Sequence, residues 1–154
     1  MLMGSSSTSD LAIEKDGGGG CVIDCGTLAT LLVKPIFDTL HTALTDHLSS
    51  NQSLKRRIIH KLHKDLCCEE LSDDGHCENL PVVTFHFENA GLDVKPEAVF
   101  MFREFEGKIL FCLSMLSDDS NTIIGAYQQM EQKFVYDTKA QVLGFGLEDC
   151  EKNG

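Results

Sequence analysis

The chain of 154 residues has no apolar run that approaches the ~18–20 residues needed to cross a bilayer. It has no excess of basic residues: 13 Lys and Arg stand against 24 Asp and Glu, a formal net charge of −11. That balance argues against nucleic acid and against an anionic membrane surface as partners. Met1 to Asp10 is polar and serine-rich, without the basic start, apolar stretch and small-residue cleavage site of a signal peptide. No internal repeat is visible. What remains is one domain's worth of chain, 42% hydrophobic and enough for one sizeable core.

Cysteine, by contrast, is abundant. Seven cysteines, at 21, 25, 67, 68, 77, 112 and 150, are scattered in a way that suits disulfides in an oxidising compartment. The odd total leaves at least one thiol free or paired with another chain. Asn51-Gln52-Ser53 is an acceptor string for glycosylation, which makes Asn51 a candidate.

Four glycines, Gly17 to Gly20, close a flexible segment over residues 1–20. Cys21-Val22-Ile23 is a short apolar strand, interrupted by the polar turn Asp24-Cys25-Gly26-Thr27 and resumed over Leu28 to Leu32. Pro35 opens a helix, where its missing N–H is no loss. Ile36, Leu40, Leu44 and Leu48 recur at four-residue spacing beside Phe37, and Ser49-Ser50-Asn51 ends the pattern. Leu54 to Leu66 reads as a second helix, with Ile58, Leu62 and Leu66 on one face and a basic outer side. Residues 67–80 read as a loop. Val82 to Phe87 is β-branched and aromatic, hence a strand, and Glu88-Asn89-Ala90-Gly91 is a hairpin turn. Val99 to Arg103, Lys108 to Met115, Thr122 to Ile124, Phe134 to Tyr136 and Val142 to Phe145 are further strands. Turn residues at intervals of about 8–12 give the rhythm of a mainly β domain with one or two helices.

Two short strings carry the chemistry. In Val22 to Thr27 a carboxylate sits at a tight turn between buried strands, a costly place for an unpaired charge. Gly26 lets backbone pass close to the acid, and Thr27 offers it a hydroxyl. A turn aspartate that merely caps backbone amides is the plainer reading of this string alone. The second string is Thr122-Ile123-Ile124-Gly125, another apolar-apolar-glycine strand near the other end.

Together these strings resemble the nepenthesin-like plant aspartic proteases. Gly19-Gly20-Cys21-Val22-Ile23-Asp24-Cys25-Gly26-Thr27 matches the family's Gly-Gly-x-Val-Ile-Asp-Ser-Gly-Thr. Leu80 to Phe87 matches Leu-Pro-x-Val-Thr-Phe-His-Phe, and Ile123-Ile124-Gly125-Ala126-Tyr127-Gln128-Gln129 is similar to Ile-Ile-Gly-Asn-x-Gln-Gln. Cys112-Leu113, Tyr136-Asp137 and the closing run from Gly144 to Cys150 also correspond.

The resemblance implies a partial C-terminal lobe of the pepsin-like fold, a β-barrel-like lobe, over residues 21–150, with 1–20 as a leading segment and 151–154 as a tail. It implies an aspartic-type endopeptidase acting on peptide or protein substrates, extracellular or vacuolar. Asp24 would be the catalytic residue, supported by Cys25, Gly26, Thr27, Ile123, Ile124 and Gly125. Two aspartates, one from each lobe, share a proton and activate a water; pepsin is the standing example of such a pair. No cofactor or metal enters that chemistry. The resemblance further implies that Cys67 or Cys68 pairs with Cys112, and that Cys150 pairs within the missing part.

Departures from the pattern set the expectations for activity. No second string of Asp, Thr or Ser, and Gly occurs in the chain, so Asp24 is half of a dyad that the N-terminal lobe or a second copy of this chain would complete. Inactivity of the isolated chain follows. Cys25 stands where the family has Ser or Thr, a weak donor in place of a hydroxyl that grips the other lobe. Cys21 is also unusual, and Cys21 and Cys25 could oxidise together. Ala126 stands where Asn is frequent. The alternatives are a non-catalytic binding protein like the xylanase inhibitors of this fold, and a truncated pseudoprotease. A zinc site drawn from His60, His63, Cys67, Cys68, His76 and Cys77 is the rival from residue types alone, at spacings that fit no standard finger.

Overall fold

The computed structural model describes residues 11, 13, 15, 19–50, 54–59, 65–70, 80–87, 89–149 and 152. Among them are twelve strands and two helices. A four-stranded sheet lies at the centre. It contains β1 (Cys21–Ile23), β10 (Thr122–Ile124), β2 (Thr30–Val33) and β9 (Met115–Asp118), in that order. β1 runs parallel to β10, β10 antiparallel to β2, and β2 parallel to β9. Strands from the two ends of the chain are thus neighbours, which brings the Asp24 turn beside Gly125.

Side chains alternate across this sheet as the two-residue period requires. Leu32, Met115 and Ile124 are buried, with Cys21 and Ile23 packed against their cluster. The opposite face carries a row in register: Val22 beside Ile123, Ile123 beside Leu31, Leu31 beside Leu116. Its outer members are exposed, Val22 by 54% and Leu116 by 40%.

Helix α1 (Lys34–Ser50) follows β2 directly. It begins one residue before Pro35 and ends at Ser50, close to the sequence expectation. Phe37, Leu44 and Leu48 are buried and Ile36 and Leu40 pack against the same core, so the four-residue stripe is the helix's inner face.

The segment read as a second helix is instead β3 (Leu54–Ile59) and the start of β4 (Asp65–Glu70), an antiparallel pair. β4 also corrects the reading of residues 67–70 as loop. The reason is tertiary. β4 pairs antiparallel with β8 (Lys108–Leu113), itself paired with β7 (Phe100–Phe105), and Leu66 to Glu69 are all buried. Cys68 enters the main core, whereas Cys67 joins Leu110 and Cys112 in a second, smaller cluster. A strand buried on both faces lacks the apolar–polar alternation by which a strand is recognised.

The remaining strands are as regular as their composition suggests. β5 (Val83–Phe87) pairs with β6 (Ala90–Val94); Gly91 lies in β6, not in the turn, and Asn89 takes φ 64°. Glu106 and Gly107, both at positive φ, form the two-residue turn between β7 and β8. Ser114 breaks the run from Lys108 to Met115 into β8 and β9. The short helix α2 (Pro96–Val99) precedes β7, and β11 (Gln132–Asp137) pairs with β12 (Val142–Leu147).

Candidate active site

Asp24 follows β1 at the sheet's edge and is half-buried. Its two carboxylate oxygens have different partners. The Gly26 N–H donates to Oδ1 at 2.8 Å, and the Thr27 hydroxyl donates to Oδ2 at 2.8 Å. Both bonds favour the ionised form. The Thr27 hydroxyl and, after it, the Gly26 amide hold the Asp24 carboxyl below the ordinary carboxylate range, against a small opposing desolvation. Gly26 is where a β-carbon would press on the acid, 3.2 Å from Oδ1.

The loop is seated on the β10 end of the chain. The Asp24 N–H donates to the Ile124 carbonyl at 3.1 Å, the Ala126 N–H to the Thr27 carbonyl at 2.7 Å, and the Tyr127 N–H to the Leu28 carbonyl at 3.0 Å. Gly125 is buried directly beneath. A β-carbon there would lie 2.6 Å from the Ala29 carbonyl carbon and oxygen and 2.8 Å from the Thr27 oxygen, closer than any side chain permits. Ile124 is fully buried and Ile123 half-buried. The fold therefore gathers Asp24, Gly26, Thr27, Ile123, Ile124 and Gly125 in one place. Cys25 projects from the same turn as an exposed thiol.

Below the loop lies a buried polar cluster that sequence reasoning did not single out. Thr30, Ser114 and Gln128 are each at most 1% exposed. The Gly125 N–H donates to the Thr30 hydroxyl at 3.0 Å, and the Thr30 N–H to Gln128 Oε1 at 3.0 Å. The signal available was the second string itself, whose closing Gln128-Gln129 gives the 3₁₀ turn Ala126–Gln129 its only amide side chains.

The cysteines divide. Cys67 and Cys112, opposite each other in the β4–β8 register, form a disulfide that spans 45 residues. Cys21 and Cys25 are not joined. Cys21 packs against the core, and burial pushes its thiol up to about 11. The zinc reading loses Cys67 to the disulfide. His60, His63, His76 and Cys77 lie outside the described residues, as do Asn51 and Cys150.

A strand–turn–strand holding an aspartate through glycine and threonine, with a glycine strand crossing beneath, defines a C-terminal lobe of the pepsin-like aspartic protease fold. The family model described as Xylanase inhibitor C-terminal matches residues 5–146, and the chain belongs to that family.

Among curated proteins, it is 24% identical over 149 residues to aspartic proteinase nepenthesin-2 of Nepenthes gracilis, covering 93% of this chain and 31% of that one. Identity is 27% over 148 residues to nepenthesin-1 of the same plant, covering 89% and 30%. To aspartyl protease family protein 2 of Arabidopsis thaliana it is 27% over 139 residues, covering 90% and 27%. The chain thus spans about a third of the length of the curated relatives it matches.

Two solved structures share the fold. The crystal structure of edgp has a TM-score of 0.75 at 15% identity, covering 97% of this chain and 37% of that one. Conglutin gamma, a basic 7S globulin from lupine seeds, has a TM-score of 0.66 at 18% identity, covering 88% and 34%. Among the described residues no helix is long and apolar enough to cross a membrane.

Proposed function

We propose that this chain supplies one catalytic half of an aspartic-type endopeptidase, with Asp24 as its aspartate. The observation that carries the reading is the pair of hydrogen bonds from Gly26 and Thr27 onto separate oxygens of Asp24. They orient the carboxyl and favour its charge, leaving its outer side open to a water. In the dyad, Asp24 and a second aspartate share one proton, because two like charges so close do not both ionise. The ionised carboxylate takes a proton from the attacking water while the protonated partner hydrogen-bonds to the peptide carbonyl. The resulting titration belongs to the pair.

The second aspartate comes from an N-terminal lobe or from a second copy of this chain. The exposed apolar row from Val22 to Leu116 is the surface such a partner would cover, since an uncovered row of this kind invites association. The Cys67–Cys112 disulfide fits an oxidising compartment, extracellular or vacuolar.

A second reading has its own support. Cys25 replaces the hydroxyl of the protease string, and a thiol bonds weakly. A binding protein that does not cleave would tolerate that change, and the matching family is described as Xylanase inhibitor C-terminal.

The test is peptide cleavage at pH about 3–5 by the chain alone, by the chain with the separately made N-terminal lobe of a nepenthesin-type protease, and by both with Asp24→Ala. The expected result is cleavage that needs the added lobe, or that rises with the square of chain concentration, and that vanishes in Asp24→Ala. Cleavage that survives Asp24→Ala overturns the proposal. So does an inert mixture in which the two lobes demonstrably associate, and tight binding of a glycoside hydrolase by that mixture would then establish the second reading.

A further inference from the structure

Two adjacent glutamines of the 3₁₀ turn fasten the Asp24 loop at its two ends. Gln129 Nε2 donates to the Ile124 carbonyl at 2.9 Å, the same oxygen that accepts from the Asp24 N–H. Gln128 serves the far end, where its Oε1 accepts from the Thr30 N–H. The Gln128 Nε2 donates to the Ala98 carbonyl at 2.5 Å and to the Ser114 hydroxyl at 2.7 Å. Ser114 Oγ lies within hydrogen-bonding reach of the Ala98 and Val99 carbonyls, at 2.7 and 2.8 Å. The amide can point only one way, because its oxygen meets an N–H and its nitrogen meets a carbonyl.

We propose that Gln128 is a positioning residue for Asp24, holding the loop against Gly125 so that Thr27 and Gly26 reach the carboxylate. The chain of contacts is continuous. Gln128 fixes Thr30; the Thr30 hydroxyl accepts from the Gly125 N–H; and Gly125 sits under Thr27 and Ala29 without room for a β-carbon. Thr27 and Leu28, at the C-terminal end of the loop, accept from the backbone of the turn that carries Gln128. Loss of the amide strands the buried Thr30 N–H and takes a donor from the Ser114 hydroxyl, which keeps its carbonyl acceptors. A buried polar network left partly satisfied is costly, and the Asp24 loop is bonded to it through Gly125 and Thr30. The titratable groups on the elements that meet here are Cys21, Cys25, Glu97, Asp118 and Tyr127, and none of them contributes to holding the Asp24 carboxyl low.

The importance of this device rests on Asp24 being the catalytic carboxylate, but its test needs no turnover. The side-chain carboxyl of Asp24 is followed by carbon NMR through acid titration in the full chain, in wild type, Gln128→Met and Gln128→Glu. The Met variant keeps the length and loses every hydrogen bond, so the Asp24 midpoint is expected to rise toward the ordinary value of about 3.9. The buried acid of Gln128→Glu is neutral in this range and keeps a carbonyl for the Thr30 N–H, so the wild-type midpoint is expected to be largely restored. A folded Gln128→Met whose Asp24 midpoint matches wild type overturns the proposal and leaves Gln128 a seal between α2 and the sheet. If that variant does not fold, Ser114→Ala is titrated in its place. It removes one partner of the amide, a smaller rise is expected, and no rise overturns the proposal equally. Inactivity in the cleavage assay, with these midpoints moving as stated, would count against the peptidase reading alone.

Discussion

Gly125 lies so close beneath Ala29 that a β-carbon on it would stand 2.6 Å from the Ala29 carbonyl carbon and oxygen. Both are backbone atoms, so no side chain can swing aside to relieve the contact. Gly125→Ala must push apart β10 and the loop that carries Asp24. We expect a loss of roughly 1–3 kcal/mol in stability, the usual cost of overpacking, read as a lower urea midpoint at unchanged slope.

Thr27→Val removes the larger of the two influences that hold the Asp24 carboxyl low. A carboxyl whose folded pKa lies below its unfolded one adds stability that is complete above the unfolded value, about 3.9, and is lost as pH falls through the folded value. The stability gap between wild type and Thr27→Val should therefore be widest near neutral pH and close in acid below that window. Denaturant midpoints at a series of pH values measure it, and a gap independent of pH would show that Thr27 acts only through packing.

The Cys67–Cys112 disulfide closes a loop of 45 residues. Chain entropy sets its contribution at roughly 4 kcal/mol. Cys112→Ala should lower the unfolding midpoint accordingly, with the larger effect on β3 and β4, whose strand pairing with the rest of their sheet runs through β8. Amide hydrogen exchange resolved by strand tests that distribution.

Cys25 and Cys21 differ in access to reagent. Cys25 is exposed, whereas Cys21 packs against the core with its thiol pushed up to about 11. The thiolate is the reactive species. Alkylation of the native chain at pH about 8 should mark Cys25 first and Cys21 only on unfolding, as peptide mass spectrometry would read. Equal labelling of the two would mean that β1 opens readily.

Several features could be read before any coordinates. The α1 stripe of Leu40, Leu44 and Leu48, the strand Cys21–Ile23 and the strand Thr122–Ile124 rest on local periodicity and on turn residues beside them. Asp24, Gly26, Thr27 and Gly125 were legible because the strings that contain them are short, ordered and shared with a family. The strand Asp65–Glu70 was missed because its residues 66–69 are all buried, which removes the alternation that marks a strand. Thr30 and Ser114 went unremarked, and Gln128 was noted only as part of the second string, for a related reason: each is an ordinary polar residue in sequence, and its value lies in partners as many as 98 positions away.

Local chemistry thus settles where this chain bends, which faces are apolar and which turn carries the carboxylate, since those depend on residues a few positions apart. The parallel pairing of Cys21–Ile23 with Thr122–Ile124, the Cys67–Cys112 register and the glutamine beneath the loop depend on which distant segments meet. That choice is made by burying one shared core, and a strand's own residues do not encode its neighbour.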